Sequence, residues 1–200
     1  MLSVIEKHDP ETPLFLNYDS HLVHSPLQVP TAYFDKFAFM EQSETPDWDF
    51  HRHIYASMVN YLDTAVGHII AALKAKGMWE NTLWVFQSDN GGPSFTGDNH
   101  TANNYPLKGA KYTNWQGGIR VNAFVAGGYL DKVAPNMAGK KLDGFISVAD
   151  WYATFAHIAG VDPTDHRAAA ANLPPIDSIN MWPYLTGESC IKALKHNLDH

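Results

Sequence analysis

Two hundred residues, 45% of them hydrophobic and 18% charged, carry enough apolar material for one buried core and at most an appendage. That balance excludes an intrinsically disordered chain, whose low hydrophobicity cannot offset the entropy lost on folding. Fourteen Lys and Arg against 21 Asp and Glu leave a net charge of −7, so the surface as a whole does not attract nucleic acid or anionic lipid, although a local cationic pocket for an anion is compatible with it.

No apolar run approaches the roughly 20 residues of a membrane-spanning helix. A single cysteine, Cys190, excludes a disulfide framework. The opening MLSVIEKHDPETP has acidic residues and prolines where a secretory signal needs a basic start, an apolar run and a small-residue cleavage site. A cytosolic protein fits that opening, and so does a piece of a longer precursor.

In chain order, residues 13–18 (PLFLNY) are too short for a helix and are predicted as a buried strand, with Asp19, Ser20 and His21 at its carboxyl end. The stretch from His24 to about Asp49 contains Pro26, Pro30 and Pro46 and is predicted as a long connection, a length that compact domains reserve for functional loops. From about Phe50 to Lys76, the residues Ile54, Met58, Tyr61, Leu62, Ala65, Ile69 and Leu73 recur at three and four, which makes one helical stripe capped by Gly77. Residues 82–87 (TLWVFQ) predict a second strand, ending in Ser88-Asp89-Asn90-Gly91-Gly92. An α/β sheet delivers its ligand-binding groups at such strand ends.

Residues 93–118 are predicted as loop, and residues 120–126 (RVNAFVA) as a third strand ended by Gly127-Gly128. Ser147-Val148-Ala149-Asp150 reads as a capping box opening a helix that runs to about Ala159 and stops at Gly160. Residues 161–200 read as an irregular tail. The order β, α, β, β, α predicts an α/β layered domain. Three strands are thin beside so long a helix, the pattern of part of a larger sheet.

Three stretches can carry chemistry. In the first, Asp89 beside Asn90 presents side-chain oxygens after a buried strand, which suits a hard cation such as Ca²⁺ or Mg²⁺. Gly91 and Gly92 would let the backbone turn sharply away. The same residues also make an ordinary Asn-Gly turn with an Asp cap. In the second, Lys108, Lys111 and Arg120 sit in a glycine-rich stretch of an acidic chain, where cations and free N–H groups can hold a sulfate or phosphate. A solvated loop is the alternative. In the third, His21 and His24 lack the third His or Cys of a zinc site, so a single histidine acting as hydrogen-bond donor or acid is the better functional reading. Plain surface histidines, as for His51, His53 and His68, are the alternative.

Taken in order, these stretches resemble the sulfatases, and within them the arylsulfatase B-like (N-acetylgalactosamine-4-sulfatase) group. The resemblance rests on residues 24–30 (HSPLQVP), the helix around Tyr55-Ala56-Ser57-Met58-Val59, Ser88 to Gly92, residues 106–111 (PLKGAK), Gly117-Gly118-Ile119-Arg120, and Val148-Ala149-Asp150-Trp151. It covers about residues 13–160. It implies an alkaline-phosphatase-like α/β fold with a mixed sheet flanked by helices. Asp89 and Asn90 match the pair that binds an active-site calcium. Lys111 looks like the lysine that contacts the substrate sulfate, and His24 like the histidine on its leaving-oxygen side. Arg120 matches a family position of structural character. Gln116 departs from the usual Glu, and the loop Phe95 to Asn103 is longer than usual.

The resemblance also implies a formylglycine nucleophile made from Cys or Ser in a Cys/Ser-x-Pro-x-Arg motif, preceded by two calcium-binding aspartates. Neither a Pro-x-Arg nor an Asp-Asp pair occurs in this sequence, and Cys190 stands in a different context. The expectation is therefore that residues 1–160 are the C-terminal half of a sulfatase catalytic domain, with residues 161–200 leading toward a smaller C-terminal region. Such a chain would carry half a calcium shell and part of a sulfate pocket.

The implied substrate is a sulfated small molecule or a glycosaminoglycan sulfate ester, with no nucleic acid and no membrane span. Relatives are lysosomal or secreted, and the Asn99-His100-Thr101 glycosylation sequon fits that route. Two alternatives stand beside this reading: a metal-dependent phosphatase or phosphodiesterase of the same superfamily, and a non-catalytic truncated or pseudoenzyme protein that only binds sulfated ligands.

Overall fold

The computed structural model describes residues 1–40, 46–93 and 102–188, with the backbone alone for residues 46–48. Cys190, the sequon at Asn99 and most of the Phe95 to Asn103 loop lie outside the described residues. The chain forms two compact units, Met1–Gly128 and Tyr129–His200.

In the first unit the three-four apolar spacing produces helix α3 (Pro46–Ala75), which starts at Pro46 rather than Phe50. Its end follows the prediction. Gly77 adopts φ +74°; its N–H bonds the Lys74 carbonyl at 3.0 Å, and the Met78 N–H bonds the Leu73 carbonyl at 2.9 Å. This pair of bonds satisfies carbonyls that a helix end would leave orphaned, and it needs the left-handed conformation that glycine adopts most readily. Helix α1 (Leu2–Lys7), absent from the sequence expectation, places Ile5 fully buried against Ile69 and Leu73, with Trp79 and Trp84 around them. Burying an isoleucine of this kind contributes about 1.5–3 kcal/mol.

Within the connection expected between His24 and Asp49, the described residues carry regular structure. They include α2 (Thr31–Phe34) and a 3-10 segment, Asp35–Met40, both packed on α3. The reason is a buried polar anchor. His53 of α3 is fully buried, stacks on Phe34 with ring centroids 3.7 Å apart, and bonds the Phe34 carbonyl through Nε2 at 2.5 Å.

The sheet of the described residues has two antiparallel strands, β1 (Trp84–Gln87) and β2 (Ala123–Ala126), in the register Trp84↔Ala126 to Gln87↔Ala123. Phe86 and Phe124 stack across it at 4.9 Å, and Ser88 N–H extends the pairing to the Asn122 carbonyl at 3.1 Å. Both strands start later than predicted. Thr82 closes the turn after α3 by bonding the Met78 carbonyl, and the residues just before Asn122 leave helix α4 (Gln116–Ile119).

The predicted strand at 13–18 is a correction: these residues are in no strand, and Phe15 is 77% exposed. A short apolar run becomes a strand only where a sheet edge lies beside it to take up its N–H and C=O groups, and the sheet of the described residues is β1 and β2 alone.

The second unit contains α5 (Gly128–Val133, starting at the boundary), α6 (Asp150–Ile158), α7 (His166–Ala170) and α8 (Trp182–Leu185). The capping box before α6 is realised in its return half: Ser147 N–H donates to Asp150 Oδ2 at 2.7 Å, while Ser147 Oγ accepts from Ala149 N–H. The other Asp150 oxygen takes the Ile179 N–H at 2.9 Å, and Thr154 Oγ1 takes the Met181 N–H at 2.9 Å. Asp150 and Thr154, both buried, therefore pin the approach to α8 onto α6. The tail expected to be irregular carries two short helices. Asp165 caps α7 by accepting from the N–H groups of Arg167 and Ala168, the usual service of an Asp N-cap.

Candidate functional site

The site lies in the first unit, where β1 ends and the glycine-rich stretch folds back on it. Lys111 is anchored at its backbone, because its N–H donates to the Gly92 carbonyl at 3.1 Å. Gly92 follows Asp89 and Asn90 directly, so the two stretches singled out in the sequence are tied together. The third stretch joins them at the side chains. Lys111 Nζ stands 3.4 Å from His24 Nε2, across 87 positions of sequence. On the other face of the ring, His24 Nδ1 donates to the Ser25 carbonyl at 2.9 Å. A proton on Nδ1 leaves the Nε2 lone pair to accept from the ammonium, which fixes the tautomer by its partners.

Glycines explain why the backbones approach so closely. A Cβ at Gly91 would lie 1.8 Å from the Gly117 carbonyl oxygen, and one at Gly117 would lie 2.1 Å from the Gly109 carbonyl oxygen. Gly91 N–H bonds the Gly118 carbonyl at 2.9 Å, and Gly117 N–H bonds the Lys108 carbonyl at 2.7 Å. Gly91 and Gly92 are not among the residues with positive φ. The chain bends at Asp89 and Asn90, and Gly91 and Gly92 add close backbone contact to that turn.

Asn104 is the residue that sequence reasoning missed. Its Oδ1 accepts from Gly92 N–H at 3.0 Å, and its Nδ2 donates to the carbonyls of Gly92 at 2.8 Å and Gly109 at 3.3 Å. One carboxamide therefore clamps the strand end to the lysine loop. The pairs Asn103-Asn104 and Lys108-Gly109 sit in a segment read simply as loop, and nothing in composition marks one amide as a clamp.

Asp89 and Asn90 present oxygen donors only. Asp89 Oδ1 accepts from the Asn90 N–H at 2.9 Å, which leaves its second oxygen. Asn90 Nδ2 donates to the Gly91 carbonyl at 2.9 Å, which leaves its amide oxygen. Such a donor set fits a hard cation in type and supplies part of the six to eight oxygens that Ca²⁺ takes. Among the described residues no group of three His, Cys, Asp or Glu gathers that could hold a metal unaided.

The remaining cations are engaged elsewhere. Lys108 Nζ sits 4.0 Å from the Trp115 ring centroid, a cation–π contact. Arg120 reaches back one turn to Gln116 Oε1 at 3.3 Å, a structural role.

Residues 1–161 match the sulfatase family model. The chain is 35% identical over 156 residues to arylsulfatase J of Mus musculus, covering 78% of this chain and 23% of that one. It is 33% identical over 172 residues to steryl-sulfatase of Homo sapiens, covering 84% and 26%. The solved structure of Ps i-CgsB superposes with a TM-score of 0.67 at 33% identity, over 84% of this chain and 32% of the other. The chain thus spans about a quarter of the length of these curated relatives. No helix among the described residues is long and apolar enough to cross a membrane. The chain belongs to the sulfatase family, and its helices and small sheet fold as the matching part of an alkaline-phosphatase-like α/β sulfatase domain.

Proposed function

We propose that this chain supplies the sulfate-holding side of a sulfuric ester hydrolase of arylsulfatase type, in the N-acetylgalactosamine-4-sulfatase-like group. The observation that carries the reading is the approach of Lys111 Nζ to His24 Nε2, with the Lys111 backbone tethered to Gly92 beside Asp89 and Asn90. Lys111 provides charge against the sulfate oxygens, a charge-assisted contact of about 1.5–3 kcal/mol. His24 faces the ester oxygen. Its Nδ1 proton is committed to the Ser25 carbonyl, so Nε2 must take up a proton before it can donate one to the departing alcohol.

Asp89 and Asn90 would hold a calcium ion. When bound, the ion supplies positive charge beside the same oxyanion. With one carboxylate and one amide the site carries little negative charge, and calcium affinity follows ligand charge, so binding to this chain is expected in the millimolar range. A formylglycine does not fit these 200 residues, which contain no Cys/Ser-x-Pro-x-Arg sequence, and no step is derived through it. The sulfated substrate is a small molecule or a glycosaminoglycan ester. A lysosomal or secreted location belongs to the same proposal.

Calorimetric titration of the purified chain with sodium sulfate tests the lysine. Lys111→Ala should weaken sulfate at least about tenfold, and equal affinity in the variant would overturn the assignment. Titration with calcium tests the metal reading: weak binding lost in Asp89→Ala is expected, and binding indifferent to that substitution overturns it.

A further inference from the structure

Lys111 occupies the second position of a tight turn, closed by the Thr113 N–H to the Ala110 carbonyl at 3.0 Å. The third position is Tyr112, with φ +73°. Among the described residues only Asn172 shares a positive φ without being glycine. Positive φ at the third position alone is the type II pattern, where Gly or Asn is strongly preferred. A bulky aromatic there is disfavoured by its own Cβ.

Packing does not explain the choice, because Tyr112 is 82% exposed. The turn also has its own supports. Thr113 Oγ1 accepts from the Ala110 N–H at 3.2 Å and donates to its carbonyl at 2.8 Å, and Ala110 is fully buried. Strain that the fold does not need points to function. The ring is also in a telling place: its centroid lies 5.6 Å from Lys111 Nζ, the ammonium that faces His24.

We propose that Tyr112 is a specificity residue, a platform on which the ring of a pyranose sulfate stacks while the sulfate group lies against Lys111 and His24. The proposal rests on the sulfate-holding role of Lys111. A platform this open suits a ligand with one apolar C–H face and a hydroxyl-bearing edge that stays in water. A wholly apolar leaving group would call for an enclosed apolar cleft. The phenol hydroxyl adds a donor and an acceptor for the sugar edge.

Three ligands separate the contributions in titrations of the purified chain: inorganic sulfate, methyl sulfate and galactose 4-sulfate. Wild type should prefer galactose 4-sulfate to methyl sulfate by roughly three- to tenfold, the range of one aromatic stacking contact. Tyr112→Gly should bring that ratio to about one while raising the thermal midpoint, since glycine relieves the turn. Tyr112→Phe should keep most of the preference. A ratio unchanged in Tyr112→Gly, or a lowered midpoint showing that the ring is structural, overturns the proposal. A wild type that binds galactose 4-sulfate no better than methyl sulfate overturns it too. Lys111→Ala distinguishes the two failures: if it leaves all three affinities untouched, or if wild type binds none of them, the sulfate-holding reading has failed and the platform with it.

Discussion

Helix α1 and the run at residues 13–18 are close neighbours in sequence, and both carry large apolar side chains. Ile5 is fully buried, whereas Phe15 is 77% exposed. The helix satisfies its own backbone and needs only an apolar stripe to dock on, which Ile69 and Leu73 of α3 supply. Residues 13–18 would need a sheet edge beside them to be buried as a strand, and the sheet of the described residues is β1 and β2 alone. Neighbouring apolar runs are therefore buried unequally, because a helix closes its bonds locally and a strand depends on a partner far away in the chain.

The largest expected effect breaks the helical side of this contrast. Ile5→Ala should lower stability by about 2–5 kcal/mol, the range for emptying a closed core site, read as a shift of the denaturant midpoint at constant slope. A loss below about 1 kcal/mol would mean that α1 does not dock as described.

An intermediate effect sharpens the role of backbone approach. Gly91→Ala forces a methyl group against the Gly117 carbonyl and should destabilise by about 1–3 kcal/mol, as overpacking does. Gly67→Ala is its counterpart in the middle of α3, with nothing within 4 Å, and should stabilise by about 0.5–1 kcal/mol through helix propensity. Equal and same-signed midpoint shifts for the two variants would refute the contact at Gly91.

The smallest effect probes the exposed run. Phe15→Ser should cost far less than Ile5→Ala, less than about 1 kcal/mol, because the side chain is mostly exposed. A loss comparable to that of Ile5→Ala would show the run to be buried.

The candidate site was only half legible. The residue types were readable: a carboxylate and a carboxamide after a strand, lysines among glycines, a histidine before a proline. Their assembly was not, because it depends on Asn104 bridging Gly92 and Gly109 and on glycines meeting one another's carbonyls. Those are contacts between backbones, and sequence patterns of hydrophobicity and charge do not encode them. Tyr112 shows the same limit from the other side, since its positive φ contradicts what its residue type predicts.

Among the secondary elements, α3 and α6 were determined by the sequence itself, down to the glycines at 77 and 160 that close them. Helix bonds span four residues, so periodicity and caps carry the information. Helix α7 had its signals too, in Asp165 at its N-cap and Asn172 just past its end, but five residues are too few to show a period. Strand limits, the fate of residues 13–18, the ordering of the segment around His53, and the meeting of His24 with Lys111 were decided only by tertiary structure. Each rests on partners far apart in the chain, and no local rule selects which partner closes the bond.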